Sequence, residues 1–194
     1  MKDWRLGLVL FLGVVIAIVS VARIVTDKPH SYEEQVAAAT IMRPAAGFDA
    51  LDSDSHLVRL NSWLGRHRII VVFFDGEAGA DQDTNLLRLR DRYAELQGHD
   101  VKVVGVTATI PQENRAAMER AGGKFPFPIV SDIDPQSPEG TLRIHRRWGR
   151  LNPANDKTLP GVFLIDRRGM VAHLGPVPKP ENDIDQLIQS LAKK

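Results

Sequence analysis

The 194-residue sequence contains no cysteine. That absence excludes a disulfide, a thiolate nucleophile, a thiolate zinc site and an iron–sulfur cluster. It also lacks an excess of either charge: 25 Lys and Arg stand against 24 Asp and Glu, a net charge of +1. A nucleic-acid-binding chain concentrates basic charge, so nucleic acid is not an expected partner. The histidines, His30, His56, His67, His99, His145 and His173, never fall three or four residues apart. No helical metal site follows from them, and no metal or other cofactor is expected. Gly-x-Ser-x-Gly, His-Glu-x-x-His and a glycine-rich phosphate loop are missing too, and no internal repeat is visible. What remains is ordinary globular composition, 43% apolar and 25% charged, of a length that suits one domain plus an extra segment.

The extra segment is N-terminal. Residues 6–22 run without a charged side chain, flanked by Trp4, Arg5 and Arg23. At about 1.5 Å per residue a helix there spans roughly 25 Å, and its flanks can complete a bilayer crossing of about 30 Å. Two readings fit: an uncleaved signal anchor, or a signal peptide cut after Ser20-Val21-Ala22. The run exceeds the usual apolar core of a signal peptide, which favours the anchor over residues 1–28. The soluble part is then expected on the extracytoplasmic, periplasmic side, with the membrane as a partner through residues 6–22. Ser31 followed by Glu33 and Glu34 marks a helix start, and Pro44 ends it, so residues 29–46 read as a helical stalk.

From residue 47 to 194 short strand and helix patterns alternate. Two short strands flank a polar turn at 52–55, and a helical turn closes at Gly65. Ile69–Phe74 is a continuous apolar run, as expected of a strand buried on both faces. An acidic loop follows, then a helix to about residue 97 with Leu86, Leu89, Tyr93 and Leu96 on one stripe. Val101–Thr107 is a second buried strand, Pro111 opens a helix, and residues 127–130 form a short strand. Residues 137–148 read as helix, 161–166 and 170–174 as a hairpin, and Ile184, Leu187, Ile188 and Leu191 as the stripe of a last helix. The order predicts an α/β fold: a three-layer α/β/α sandwich around a mixed central sheet.

These residues resemble a family. Phe48-Asp-Ala-Leu, Leu60-Asn-Ser-Trp-Leu-Gly65-Arg66, Val71-Val-Phe-Phe74, Leu89-Arg-Asp-Arg-Tyr93 and Val103-Val-Gly-Val-Thr107 occur in order. Phe125-Pro-Phe-Pro-Ile-Val-Ser-Asp132 and Leu159-Pro-Gly-Val-Phe-Leu-Ile-Asp-Arg-Arg-Gly169 follow. Together they are similar to thioredoxin-fold redoxins of the peroxiredoxin (AhpC/TSA) branch. The resemblance implies a thioredoxin-like domain and an active loop between the first central strand and the next helix. It aligns Gly79, Ala80, Asp81, Gln82 and Asp83 with that loop, where the family carries its cysteine beside a helix N-terminus. None of these residues can serve as a thiolate, so the loop is degenerate. A carboxylate from Asp81 or Asp83 is expected to cap the helix instead. The acidic loop at 75–83 also offers oxygen ligands to a hard cation, although without EF-hand spacing. The resemblance further implies a cis Leu159–Pro160 bond facing the loop, part of a groove able to pair with an extended peptide.

The expectation for function is a membrane-anchored redoxin-fold module without thiol catalysis, an accessory subunit or assembly factor with a protein partner in a membrane complex. Two alternatives stay open: an enzyme using non-thiol chemistry in the same cleft, and a peptide-binding chaperone that keeps the groove.

Overall fold

The structure is a computed structural model that describes residues 43–134, 140–171 and 188–189. The expected anchor at 1–28, most of the stalk and nearly all of the last helix lie outside the described residues. Among those described, no helix is long and apolar enough to cross a membrane.

The chain forms β1 (Asp49–Asp52) and β2 (Leu57–Arg59), a 3-10 turn (Leu60–Ser62), and β3 (Arg68–Phe73). Helices α1 (Thr84–Asp91) and α2 (Tyr93–Gly98) lead to β4 (Val101–Thr107), and α3 (Pro111–Arg120) leads to β5 (Ile129–Ser131). Helix α4 (Arg143–Arg147) precedes β6 (Gly161–Ile165). One sheet of order β2-β1-β5-β4-β3-β6 results. β3, β4 and β5 are parallel, and β1, β2 and β6 run against their neighbours. The mixed sheet is the one that the strand and helix order predicts.

The apolar run of β3 is what centres it. Side chains alternate across a pleat, so a strand without polar positions must be covered on both faces. Ile70, Val72 and Phe74 pack with Leu86, Leu89, Leu96, Ala117 and Met118 of α1, α2 and α3. Ile69, Val71 and Phe73 pack on the other face with Leu60, Ile144 and Trp148. These are the three layers. Fully burying each such aliphatic side chain stabilises the fold by roughly 1.5–3 kcal/mol relative to exposure.

Two helices depart from the sequence pattern. The helix expected to run to about 97 breaks at Arg92, whose backbone leaves the helical region at φ −106 and ψ 14. The apolar stripe survives the break: Leu86, Leu89 and Leu96 are fully buried and Tyr93 packs at their edge. Of the helix expected over 137–148, residues 137–139 lie outside the described residues, and the described part is regular over Arg143–Arg147. Leu142 before it is left-handed, at φ 59. The cause lies far along the chain. Asp132, just beyond β5, accepts the backbone N–H groups of Ile144 at 3.0 Å and His145 at 2.8 Å. It also accepts the Nδ1–H of His145 at 2.7 Å. A carboxylate on the orphan N–H groups of a helix start sets where the helix begins. Both residues are buried, and Phe73 meets the His145 ring edge-on at 5.1 Å.

The C-terminal hairpin is made by Asp166, whose carboxylate accepts the N–H groups of Arg168 and Met170, each at 2.9 Å. Val171 bridges Ile165, and Pro44 bridges Met170. Residues 43–46 therefore run along this turn, and the indole N–H of Trp148 donates to the Ala46 carbonyl at 3.0 Å.

Removing the Asp132 carboxylate strands a buried histidine and two helix N–H groups. Asp132→Ala is expected to cost about 3–5 kcal/mol, the usual effect of breaking a buried hydrogen-bonded pair. Urea unfolding of the variant checks it; a loss below about 1 kcal/mol would show that α4 holds its place without this contact.

Candidate functional site: an acidic loop at the end of the central strand

β3 leads out of the sheet core into residues 74–83, above the ends of β4 and β5. The surface beneath that exit is polar. The Thr107 and Thr109 hydroxyls lie 3.2 Å apart. Asn114 donates to the Ser131 hydroxyl at 3.1 Å. Gly76 sits directly on the two threonines: a Cβ there would come within 1.8 Å of the Thr109 hydroxyl and 2.5 Å of that of Thr107. No larger residue fits without moving the loop, so the close approach of backbone to hydroxyls explains this glycine.

The loop is closed by its own acids. Asp75 accepts the Glu77 N–H at 2.9 Å. The chain turns at Gly79, whose φ of +88 suits glycine, and Ala80 is fully buried. Asp81 then receives Arg120 of α3 as a two-pronged fork, Nε and Nη2 each at 2.9 Å. The guanidinium holds the Asp81 carboxyl below the usual carboxylate range and is itself raised in return. Gln82 is exposed and reaches back to Asp81. Asp83 is the N-cap of α1 and accepts the Leu86 N–H at 2.9 Å. Burial pushes the Asp83 carboxyl up, against the pull of the Leu86 and Asn85 N–H groups. The cap expected from Asp81 or Asp83 falls to Asp83, while Asp81 pairs with Arg120.

Those partners leave the loop poorly suited to a cation, because Asp75, Asp81 and Asp83 are each turned to a different donor. Among the described residues, the acidic group whose ligand atoms gather within 4.8 Å is Asp52, Asp54 and His56, in the β1–β2 turn. It is also engaged internally. Asp52 accepts the N–H groups of Asp54 and His56, each at 2.8 Å, and Asp54 pairs with Lys124 and Arg115.

Leu159 and Pro160 reach the same end of the sheet, since Gly161 pairs with Phe73. The expected cis bond between them is corrected: the described residues contain no cis peptide bond. Arg150 accounts for the geometry. Its carbonyl takes the Leu159 N–H at 2.8 Å, and its Nη1 donates to the Pro160 carbonyl at 3.0 Å. Gripped on both sides, the chain enters β6 through the ordinary trans form, which is also the lower in energy. With those two groups bonded and no N–H on Pro160, this stretch offers little backbone to an incoming peptide.

Sequence reasoning missed two residues. Arg150 is buried, with Nε donating to the Gly149 carbonyl at 3.1 Å and its guanidinium 5.6 Å from the Phe163 ring centre. His145 is wholly buried beside Asp132, and its Nε2 has no hydrogen-bond partner among the described residues. Thirteen residues separate it from Asp132, so no local spacing announced the pair.

Comparison with known proteins agrees with this frame. Residues 41–174 match the model of the AhpC/TSA family. The chain is 25% identical over 121 residues to the chloroplastic 2-Cys peroxiredoxin BAS1 of Hordeum vulgare, covering 60% of this chain and 54% of that one. It is 24% identical over 137 residues to peroxiredoxin 2 of Thermoplasma acidophilum, covering 68% and 65%. The chain spans about half the length of the first curated relatives it matches. Among solved structures it resembles peroxidoxin BcpB of Mycobacterium tuberculosis, with TM-score 0.66, 16% identity, and 79% and 97% of the two chains covered. It also resembles the mitochondrial 2-Cys peroxiredoxin of Plasmodium falciparum, with TM-score 0.62, 18% identity, and 79% and 92% covered. These structural likenesses establish a thioredoxin-like fold.

Two substitutions test how the loop is held. Asp81→Ala releases the fork to α3, and limited proteolysis is expected to cut within residues 75–83 several-fold faster than in the parent; an unchanged rate would mean that the fork does not hold the loop. At Asp83 the pH dependence has a definite sign. Its folded pKa lies above the ordinary 3.8, so its contribution is most favourable below that value and is lost as pH rises through the folded pKa. Asn keeps the cap without the buried charge, so Asp83→Asn is expected to gain in melting temperature relative to the parent as pH rises from 4 to 7. Asp83→Ala is expected to lose about 1 kcal/mol through the missing cap. A relative stability of Asp83→Asn that falls over that pH range would contradict the assignment.

Proposed function

The chain belongs to the AhpC/TSA family, and from that premise we propose that it is a binding module rather than a thiol catalyst. In this reading it is an accessory subunit or assembly factor of a membrane protein complex. Residues 6–22 tether it, with the folded domain on the extracytoplasmic side. The observation that carries the proposal is the loop at 75–83. At the family's active position stand Gly79, Ala80, Asp81, Gln82 and Asp83, and the sequence holds no cysteine at all. Thiolate attack on a peroxide and dithiol exchange both need a sulfur that this chain does not have.

The loop's own contacts support the same reading. A helix N-terminus favours negative charge, and in this chain the Asp83 carboxylate fills that position. The Asp81–Arg120 fork closes the approach from α3. What supports the tether is the uncharged apolar run in the sequence.

The test is co-purification from membranes through a C-terminal tag after mild detergent extraction. The full chain is expected to resist carbonate washing and to emerge with a membrane protein at fixed stoichiometry, and a chain starting at residue 29 is expected to lose both properties. Peroxide turnover by the purified chain should not exceed a protein-free control. A full chain that runs alone, or one that turns over peroxide, would overturn the proposal.

A further inference from the structure

A second site lies away from the acidic loop, in a cleft of about 390 Å³ between the β1–β2 hairpin and α4. That volume falls within the range of small-molecule sites. Phe48, Ala50, Ile144 and Trp148 contribute its apolar lining, and no residue of the 74–83 loop borders it. Leu51 and Leu57 also line it, and they stand directly opposite one another across the hairpin. They are 42% and 51% exposed, two of the three large hydrophobic residues left exposed among those described.

Charge at the cleft is unevenly engaged. The acids that border it already have partners: Asp132 holds the start of α4, Asp49 lies 3.9 Å from Arg59, and Asp134 is bonded as well. Arg143 and Arg147 border the cleft one helical turn apart, and both are exposed. Among the described residues, neither guanidinium has a hydrogen bond or ion pair. Side chains four apart on a helix lie on one face, and guanidinium groups suit the two oxygens of a carboxylate. Two unengaged cations beside an open apolar lining ask for an anion with an apolar body.

We propose that this cleft binds a small amphiphilic carboxylate, its head on Arg143 and Arg147 and its hydrocarbon body against Trp148, Leu51 and Leu57. The site is independent of the tether and of the degenerate loop, so it stands or falls apart from the proposed accessory role.

The test is photo-crosslinking of the full chain with a medium-chain fatty acid carrying a diazirine in its tail, the labelled peptides being mapped by mass spectrometry. Label is expected on the peptides holding residues 48–57 and 144–148. Octanoate should compete with the probe, while octanol, with the same tail and no charge, should compete at least tenfold more weakly. The double variant Arg143→Gln, Arg147→Gln should lose at least tenfold in labelling. Arg146→Gln should retain it, because Arg146 lies on the same helix without lining the cleft. Equal competition by octanol, label only in residues 6–22, or full labelling of the double variant would each overturn the proposal. The competition arm uses the unaltered chain, so it decides the matter even if the double variant fails to fold.

Discussion

One carboxylate organises this end of the molecule. Asp132 leaves β5 and takes three donors from the first residues of α4. With its start fixed, the short helix directs Trp148 and Ile144 into the sheet face, against Phe73 and Phe163. It also aligns Arg150, whose N–H bonds the His145 carbonyl at 2.7 Å and whose side chain grips the approach to β6. A five-residue helix has little intrinsic stability. Its position therefore comes from this tertiary contact, and the contact carries the hairpin cleft and the β6 entry with it.

The acidic loop answers a related physical demand by different means. A helix start facing a buried sheet end leaves N–H groups that need an acceptor. In this chain, which has no cysteine, Asp83 meets that demand. The cap has an electrostatic cost, visible as the raised Asp83 carboxyl. Burial penalises the charged carboxylate there more than its protonated form. Neighbouring Asp81 avoids that penalty by pairing with Arg120. The pKa values of two acids two residues apart are thus shifted in opposite directions, because burial outweighs the N–H dipoles at Asp83 and a full cation faces Asp81.

The features legible in the sequence were those with a local pattern. The apolar runs at 69–74 and 101–107 gave the central strands, because double-sided burial removes the polar alternation. Pro111 announced α3, and Asp83 provides the α1 cap expected from Asp81 or Asp83. The features that escaped depend on residues distant in the chain. The start of α4 is set by Asp132, 12 residues before Ile144, and no spacing near residue 137 reveals it. The break at Arg92 has no glycine or proline to mark it. The hydrogen bonds that hold Leu159 and Pro160 come from Arg150, which composition presents as one of many surface arginines, yet it is almost fully buried.

The same distinction separates the two sites. Every carboxylate of the 75–83 loop other than that of exposed Glu77 is engaged by a donor of this chain, so a ligand would first have to displace a contact that the fold already uses. At the cleft beside α4 the acids are engaged, and among the described residues the two arginines are not. An interaction already made within the chain contributes to folding, whereas an unengaged charge beside exposed apolar surface contributes mainly when something else arrives. The binding chemistry proposed for this domain therefore lies away from the 75–83 loop. At the end of β3 the aspartates are engaged, whereas at the hairpin edge Leu51, Leu57, Arg143 and Arg147 face solvent.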